Sequence, residues 1–547
     1  MVIMFQCFFF ENEPSTTINT DLCALIAGLS HTLQDTLCVY LIEDHSSSSQ
    51  SSEKLAKNTF NYLLNIFHNV VRDCVSLPSD SDTLVRRLPE TSFTPNSNPA
   101  VIDATRCLAM LYRLNEELHY VSYTEFYNDA VNENLEIKED FPNFKDHKGF
   151  SFCDYSFILN PAVKADILKV ESVFQMRHEL QDAFFRTLLQ GVNSPYLVLE
   201  IRREHIIADA LQQLYQKSIH DLKKQLRVQF VGEEGVDEGG VQKEFFQLVV
   251  RELFDLKYDM FTFNEESRLY WFSANPTLDE HTLQEYRLAG LLLGLAVYNS
   301  VILDIHFPRA LYKKLMNVEV NLQDLKQLDP SLGKGLEQLL VFDGPVESEY
   351  ERTFQVDMES CGHVYTYDLK PNGSKIILCK ENRQEFVNLY TKFLLDTSME
   401  QPFGAFVQGF RLVCQDSAIK IFRPEEIEQL ICGSSDLDFE ALERSTVYDG
   451  GWTKDSAIIK YFWEIVHEFS YEEKKKLLFF ATGSDRAPIG GLSKLQFVIA
   501  KNGGDSDRLP TSHTCYNVLL LCEYSSKEKL QERLLTSISN AEGFGMI

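Results

Sequence analysis

Apolar residues recur along this chain mostly at the three-and-four spacing of a helix. In SLGKGLEQLLVF, Leu332, Leu336, Leu339 and Leu340 fall at i, i+4, i+7 and i+8, and in RQEFVNLYTKFLLD the positions Phe386, Leu389, Tyr390, Phe393 and Leu394 keep the same period. Both stretches predict helices with one apolar stripe, which reads as core packing or, alternatively, as a groove for a partner's loops. The run AGLLLGLAVYNSVIL, Ala289 to Leu303, is shorter than a membrane span and contains Asn299, so it predicts a buried helix. LRVQFVGEEGVDEGGVQKEFFQLVVRELF, Leu226 to Phe254, predicts a strand, a glycine-rich turn and an amphipathic helix bearing Phe245, Leu248, Val249 and Phe254. A glycine-rich turn opening a helix can cradle phosphate, but Glu233, Glu234, Asp237 and Glu238 repel one, and no Gly-Lys pair followed by Ser or Thr is present. The turn is therefore read as structural.

Breakers divide the pattern. HSSSSQSSEK (His45 to Lys54) and LPETSFTPNSNPA (Leu88 to Ala100) read as exposed loops, because they bury too little apolar surface to offset ordering. Residues 1–100 then form a helical annex of unknown role, and residues 101–194 a further helical region. LICGSSD places Gly433, Ser434 and Ser435 together as a flexible joint. Beyond it the composition changes to a compact last unit. Helical AIIKYFWEIVHEF and YEEKKKLLFFATG are followed by short strands at LQFVIA (Leu495 to Ala500) and NVLLL (Asn517 to Leu521). A last helix opens with a capping box of Ser525 and Glu528 and buries Leu530, Leu534, Leu535 and Ile538.

At 547 residues the chain is too long for one core, and 44% hydrophobic residues suffice for two or three packed domains. The formal net charge of -28 repels nucleic acid and anionic membrane surfaces, so neither is expected as a partner and basic proteins are. Twelve cysteines without a CxxC pair or a cysteine-histidine cluster read as free thiols in a reducing compartment, with no metal and no cofactor. The apolar start lacks a positive segment, and no Lys or Arg precedes Lys54. The cytoplasm is the expected location, with the nucleus open as well.

RLPTSHTCYNVLLL sets Cys515 between a polar turn and an apolar strand. A thiolate is an intrinsically strong nucleophile, and a loop on a scaffold exposes it. His513 and the hydroxyls of Ser512 and Thr514 could donate hydrogen bonds to a thiolate or an oxyanion, while Pro510 stiffens the approach. Local features alone leave open a buried, inert cysteine. A thiol with no evident Cys-His-Asn set suits acyl exchange with another thioester better than hydrolysis, since aligning two thiols supplies most of the acceleration.

LPTSHTCYN, followed by LLCEYSSKEKLQERLL and GFGMI, resembles the catalytic end of the HECT-type ubiquitin ligases, and within them the Angelman-type ligase. The similarity continues upstream through ATGSDRAPIGGLSKL, YDGGW, FRPEEIEQLICGS, GLLLGLAVYNSVILDIHFP and VGEEGVDEGGVQKEFFQLVV, strongly over residues 195–547 and weakly back to Val101.

The resemblance implies a mostly helical α+β fold with a bilobal HECT domain. A large, mainly α N-lobe at 195–433 would bind a ubiquitin-conjugating enzyme, and a small α/β C-lobe at 436–547 would carry the catalytic cysteine. Cys515 matches that cysteine, and His513 and Thr514 belong to its motif. Phe544 matches a family phenylalanine that helps to place the acceptor lysine. Gly433, Ser434 and Ser435 map to the hinge, and Leu332, Leu336, Phe386 and Tyr390 to the groove for the conjugating enzyme. Ubiquitin, a conjugating enzyme and protein substrates are the partners implied. Cys522 departs from the family's usual proline and offers a second thiol as an oxidation partner. The rival readings are a catalytically idle HECT-like scaffold and a cysteine hydrolase acting on ubiquitin conjugates.

Overall fold

In the computed structural model, residues 50–75, 95–190, 194–233, 240–255, 259–274, 278–360, 363–415, 417–514 and 516–540 are described. The chain divides into two compact units, Met1–Ile167 and Leu168–Ile547. The first is built on α1 (Gln50–Val75) and α2 (Pro99–Leu118). On α1, Phe60, Leu63, Leu64, Phe67, Val70 and Val71 are buried at helical spacing; on α2, Val101, Ala104, Leu108 and Leu111 answer them. Asn98 starts α2 by accepting from Ala100 N, with Pro99 in the first turn, where its missing N–H costs nothing.

Two details differ from expectation. The serine run does not stay a loop up to Lys54, since α1 begins at Gln50. The first compact unit also extends past residue 100 to Ile167, with α1 packed on α2. Residues 1–49 and 76–94 of the annex lie outside the described residues. Asp140, fully buried, ties this unit together by accepting from Asn96 Nδ2, Ser151 Oγ and the Phe152 and Cys153 amides at 2.6–3.2 Å.

α3 (Pro161–Gln190) leads into the second unit. There, β1 (Leu197–Ile201) and β2 (Leu226–Phe230) form a parallel pair in the register Leu197↔Leu226, and α4 (Gly240–Leu253) follows. The antiparallel pair β3 (Phe261–Asn264) and β4 (Leu269–Phe272) precedes α5 (Glu280–Tyr298), which Asp279 caps by accepting from Thr282 N at 2.8 Å. Every residue of α5 from Leu288 to Tyr298 is buried, as the apolar run predicts; it ends at Asn299 rather than reaching Leu303. Then come α6 (Pro330–Val341), the hairpin β5 (Gln355–Ser360) and β6 (His363–Asp368), α7 (Arg383–Leu395), α8 (Glu400–Arg411) and α9 (Pro424–Cys432).

α8 packs along α5 so closely that only glycine fits at the crossing. A Cβ at Gly290 would stand 1.8 Å from Phe406 O, and one at Gly409 1.9 Å from Arg287 O.

From residue 447 the chain builds one four-stranded sheet in the order β7 (Val447–Asp449), β8 (Val498–Lys501), β10 (Val518–Leu521), β9 (Thr511–His513). β7 and β10 run parallel to β8, while β9 is antiparallel to β10. The helices α10 (Ala457–Glu468), α11 (Tyr471–Thr482) and α12 (Lys527–Ser539) enclose a core of Ile459, Phe462, Val466, Leu477, Ile499, Leu519, Leu530 and Leu534. The cap of α12 is Ser526, which accepts from Lys529 N at 3.2 Å, and not Ser525, whose amide is engaged by Asp505. Leu535 is only partly buried. The described part is thus mostly helical with small sheets, and among the described residues no helix is long and apolar enough to cross a membrane.

Two stability outcomes follow. Gly409→Ala should cost about 3 kcal/mol or more by overpacking backbone against backbone, whereas Gly404→Ala on the same helix, where a Cβ meets open space, should be neutral or mildly stabilising. Equal denaturation midpoints for the two variants would refute the close-crossing argument. The second concerns His68, whose Nδ1 accepts from Asn128 Nδ2 at 3.0 Å while Asn128 Oδ1 is held by Val131 N. Burial lowers its pKa from 6.5 to about 4. The folded state thus favours the neutral ring, so its stabilisation is complete above pH 6.5 and is lost as pH falls towards 4. That amounts to about 2 kcal/mol between pH 7 and pH 5. Urea unfolding at the two pH values should show this difference for the wild type and a smaller one for His68→Gln.

Candidate active site

The hairpin of β9 and β10 ends at the pair His513↔Val518, and of the residues between them Thr514, Tyr516 and Asn517 are described as turn. Asn517 closes it at φ +53°, a left-handed conformation that asparagine tolerates. The Tyr516 amide donates to His513 O at 3.1 Å and the Asn517 amide to Thr514 O at 3.4 Å, while Asn517 O accepts from Val498 N at 3.0 Å, tying the turn to β8. Below it, Ser512 Oγ donates to Phe480 O at 2.6 Å and Ser537 Oγ to Pro510 O at 3.2 Å. The strand before the turn is therefore fastened to α11 and α12. The hydroxyl of Ser512 is spent on this bond and does not donate to the turn. Thr514 is half-buried, and His513 and Tyr516 are exposed. Cys515 and Phe544 lie outside the described residues.

The other thiol of this part, Cys522, is 1% exposed at the opposite end of β10. It donates to Asn502 O at 3.3 Å and accepts from Ser506 Oγ at 3.2 Å. Sealed and already bonded, it does not offer the oxidation partner expected from the sequence. Cys432 is similarly inert: burial pushes its thiol up to about 12, and Tyr312 Oη lies 3.1 Å from its sulfur.

The joint after α9 is less free than its glycine and serines suggest. Gly433 is buried at φ +71°, ψ 180°, where a Cβ would stand 2.7 Å from Ala487 O. Ser434 exchanges two backbone hydrogen bonds with Ala487, at 2.8 and 2.9 Å, and Ser435 O accepts from Tyr471 Oη at 2.8 Å. Both serines are thus held by the segment that carries β7–β10.

The groove residues divide by burial. α6 begins where Asp329 accepts from Leu332 N at 2.9 Å, and Arg383 of α7 donates to Leu339 O and Phe342 O, clamping the two helices side by side. Leu336 and Phe386 are only 5% and 4% exposed, the Phe386 ring lying edge-on to Phe354 and Tyr390. Leu332 and Tyr390 are half-buried. Leu336 and Phe386 therefore lie beneath this face, and Leu332 and Tyr390 reach its surface. Val341 and Ile377, 76% and 61% exposed, are apolar neighbours outside the predicted stripes.

The glycine-rich turn before α4 holds no phosphate cradle in its described part. Arg203 donates to both Glu233 oxygens and to Glu244, and the guanidinium keeps the Glu233 carboxyl below its usual range; Glu234, Asp237 and Glu238 lie outside the described residues. What sequence reasoning missed is the reach of α4. Lys243 Nζ donates to Asn517 Oδ1 at 3.4 Å, and Gln247 Nε2 to Gly483 O. No local pattern signals a bond between residues 274 positions apart.

This is the scaffold of a cysteine-bearing turn on a small sheet beside a larger helical body. The HECT family, described as HECT-domain (ubiquitin-transferase), matches residues 247–547, more than half of the chain. The chain belongs to that family. It is similar to the probable E3 ubiquitin-protein ligase HECTD2 of Homo sapiens, with 43% identity over 466 residues, covering 81% of this chain and 59% of the relative. The probable E3 ubiquitin-protein ligase HERC3 of Homo sapiens is 39% identical over 469 residues, covering 82% and 44%. The probable E3 ubiquitin-protein ligase mug30 of Schizosaccharomyces pombe is 34% identical over 483 residues, covering 82% and 59%. The chain thus spans about half the length of these curated relatives.

Gly433→Ala should open the joint, because an alanine at φ +71° is strained and its methyl meets Ala487 O. Limited proteolysis should then cut near residue 433 at least several-fold faster than in the wild type; an unchanged digestion pattern would show that the joint tolerates a side chain.

Proposed function

We propose that this protein is a HECT-type ubiquitin-protein ligase. The match of the family across residues 247–547 carries the reading, since that span includes α6, α7, the Gly433 joint and the turn of Cys515. In the proposed reaction the Cys515 thiolate attacks the carbonyl carbon of the thioester joining ubiquitin to the cysteine of a conjugating enzyme. A new C–S bond forms, the old one breaks, and the conjugating enzyme departs with its thiol. A substrate lysine amine then attacks the new thioester, the isopeptide bond forms, and Cys515 leaves as thiolate while the amine gives up its proton.

The segment 195–433 acts as the lobe that docks the conjugating enzyme, through Leu332 and Tyr390 supported by Leu336 and Phe386. The segment 436–547 acts as the catalytic lobe, and Gly433, with Ser434 and Ser435 moving on the catalytic side, is the pivot between them. His513 and Thr514 flank the sulfur, and Phe544 helps to position the acceptor lysine. Ubiquitin, a conjugating enzyme and protein substrates are the partners, and the net charge of -28 disfavours nucleic acid. The cytoplasm is the proposed compartment, with the nucleus also accessible. The closer kinship to the Angelman-type ligase rests on the sequence blocks alone.

Incubation with ubiquitin, activating enzyme, conjugating enzyme and ATP should give an adduct that reductant removes. Cys515→Ala should abolish it, and Cys515→Ser should yield a more stable ester. Tyr390→Ala should slow charging about tenfold while leaving discharge of a preformed adduct unchanged. No adduct with the intact chain, or equal lysine modification after Cys515→Ala, would sink the reading; the first outcome fits an idle scaffold, and depletion of conjugates a hydrolase.

A further inference from the structure

The two side chains that α4 extends are spaced one turn apart, at i and i+4, and so lie on one face of the helix. Lys243 meets Asn517, two residues beyond Cys515, and Gln247 meets the carbonyl of Gly483 at the end of α11. Both acceptors are rigid. Gly483 closes α11 in a left-handed cap, its amide donating to Phe479 O at 2.8 Å, and Asn517 is pinned to β8 through its own carbonyl. Gln247 and Gly483 also border a cavity of about 600 Å³ between α4, residues 302–306 and α11. A polar two-point fastening beside an open cleft is built to release, unlike a packed apolar interface.

The helices α6 and α7 pack against each other and against the helix Leu322–Leu328, whereas α4 packs on β2, the helix Ile206–Tyr215 and α5. On the ligase reading a charging partner sits on α6 and α7, elements other than those α4 packs on. Resting on the ligase reading above, we infer that Lys243 and Gln247 are positioning residues that latch the Cys515 turn for passing ubiquitin to lysine, and that the latch opens for charging. The ammonium of Lys243 orients the turn through Asn517. It takes no part in bond making.

The full chain is to be tested in two separate single-turnover measurements, charging from a loaded conjugating enzyme and discharge of the purified adduct to free lysine. Lys243→Ala with Gln247→Ala should slow discharge about tenfold, the loss expected for hydrogen bonds with a charged donor. Charging should change less than twofold or become faster. Lys243→Arg should restore most of the discharge rate in the presence of Gln247. Asn517→Gly, which keeps the left-handed backbone but removes the acceptor, should slow discharge similarly, and adding Lys243→Ala to it should cost less than twofold more. Discharge at the wild-type rate in the double variant overturns the latch. Charging and discharge falling by one common factor also overturns it, since that marks a general structural role, as does a further full tenfold loss for Lys243→Ala on the Asn517→Gly background. Failure of the intact chain to form any reductant-labile adduct is a separate outcome, which removes the ligase reading and the latch with it before any variant is compared.

Discussion

The crossing of α5 and α8 at Gly290 and Gly409 is the constraint on which the geometry of the active half depends. Backbone meets backbone there, so the two helices have one depth and one rotation available to them. That fixes where α5 ends at Tyr298 and how the following segment leaves it. Leu303 N then donates to Ile431 O at 2.8 Å, and Ile305 O accepts from the Cys432 thiol at 3.4 Å. Tyr312, fully buried, closes over the same sulfur. The last turn of α9 is thereby anchored to the helical core right up to the residue before Gly433. The glycine crossing and these bonds together hold the approach to Gly433 in place.

On the far side of Gly433 the chain is fixed again. Ser434 and Ser435 are bonded to Ala487 and Tyr471. A run of small residues reads from sequence as a limp linker, but the structure holds these residues on both sides of a buried glycine.

Much of this was legible in the sequence, for a physical reason: periodicity reports burial on one element. The run from Ala289 buried as a helix, the stripes of α6 and α7 formed, and the last helix buried Leu530, Leu534 and Ile538. Periodicity does not say what covers an apolar face. Leu336 and Phe386 are buried, Phe386 against Phe354 and Tyr390, so two of the four positions on the stripes lie beneath the surface. A serine pair can cap a helix at either member, and competition from Asp505 for Ser525 decided for Ser526. Cys522 looked like a second reactive thiol because its distance along β10 from the turn, and its burial, are properties of the sheet. The Lys243 and Gln247 contacts were beyond reach altogether, because they join elements far apart in the chain.

The energetics of the two contacts differ in kind. Separating α5 from α8 would expose a wholly buried helix face, Leu288 to Tyr298, at a cost far beyond what ligand binding supplies. The side-chain hydrogen bonds that Lys243 and Gln247 make are each worth about 1 kcal/mol net, or somewhat more where the donor is charged. A cavity of about 600 Å³ lies beside them. The glycine crossing is thus a contact of backbone on backbone, and the contact from α4 a polar one made by two side chains.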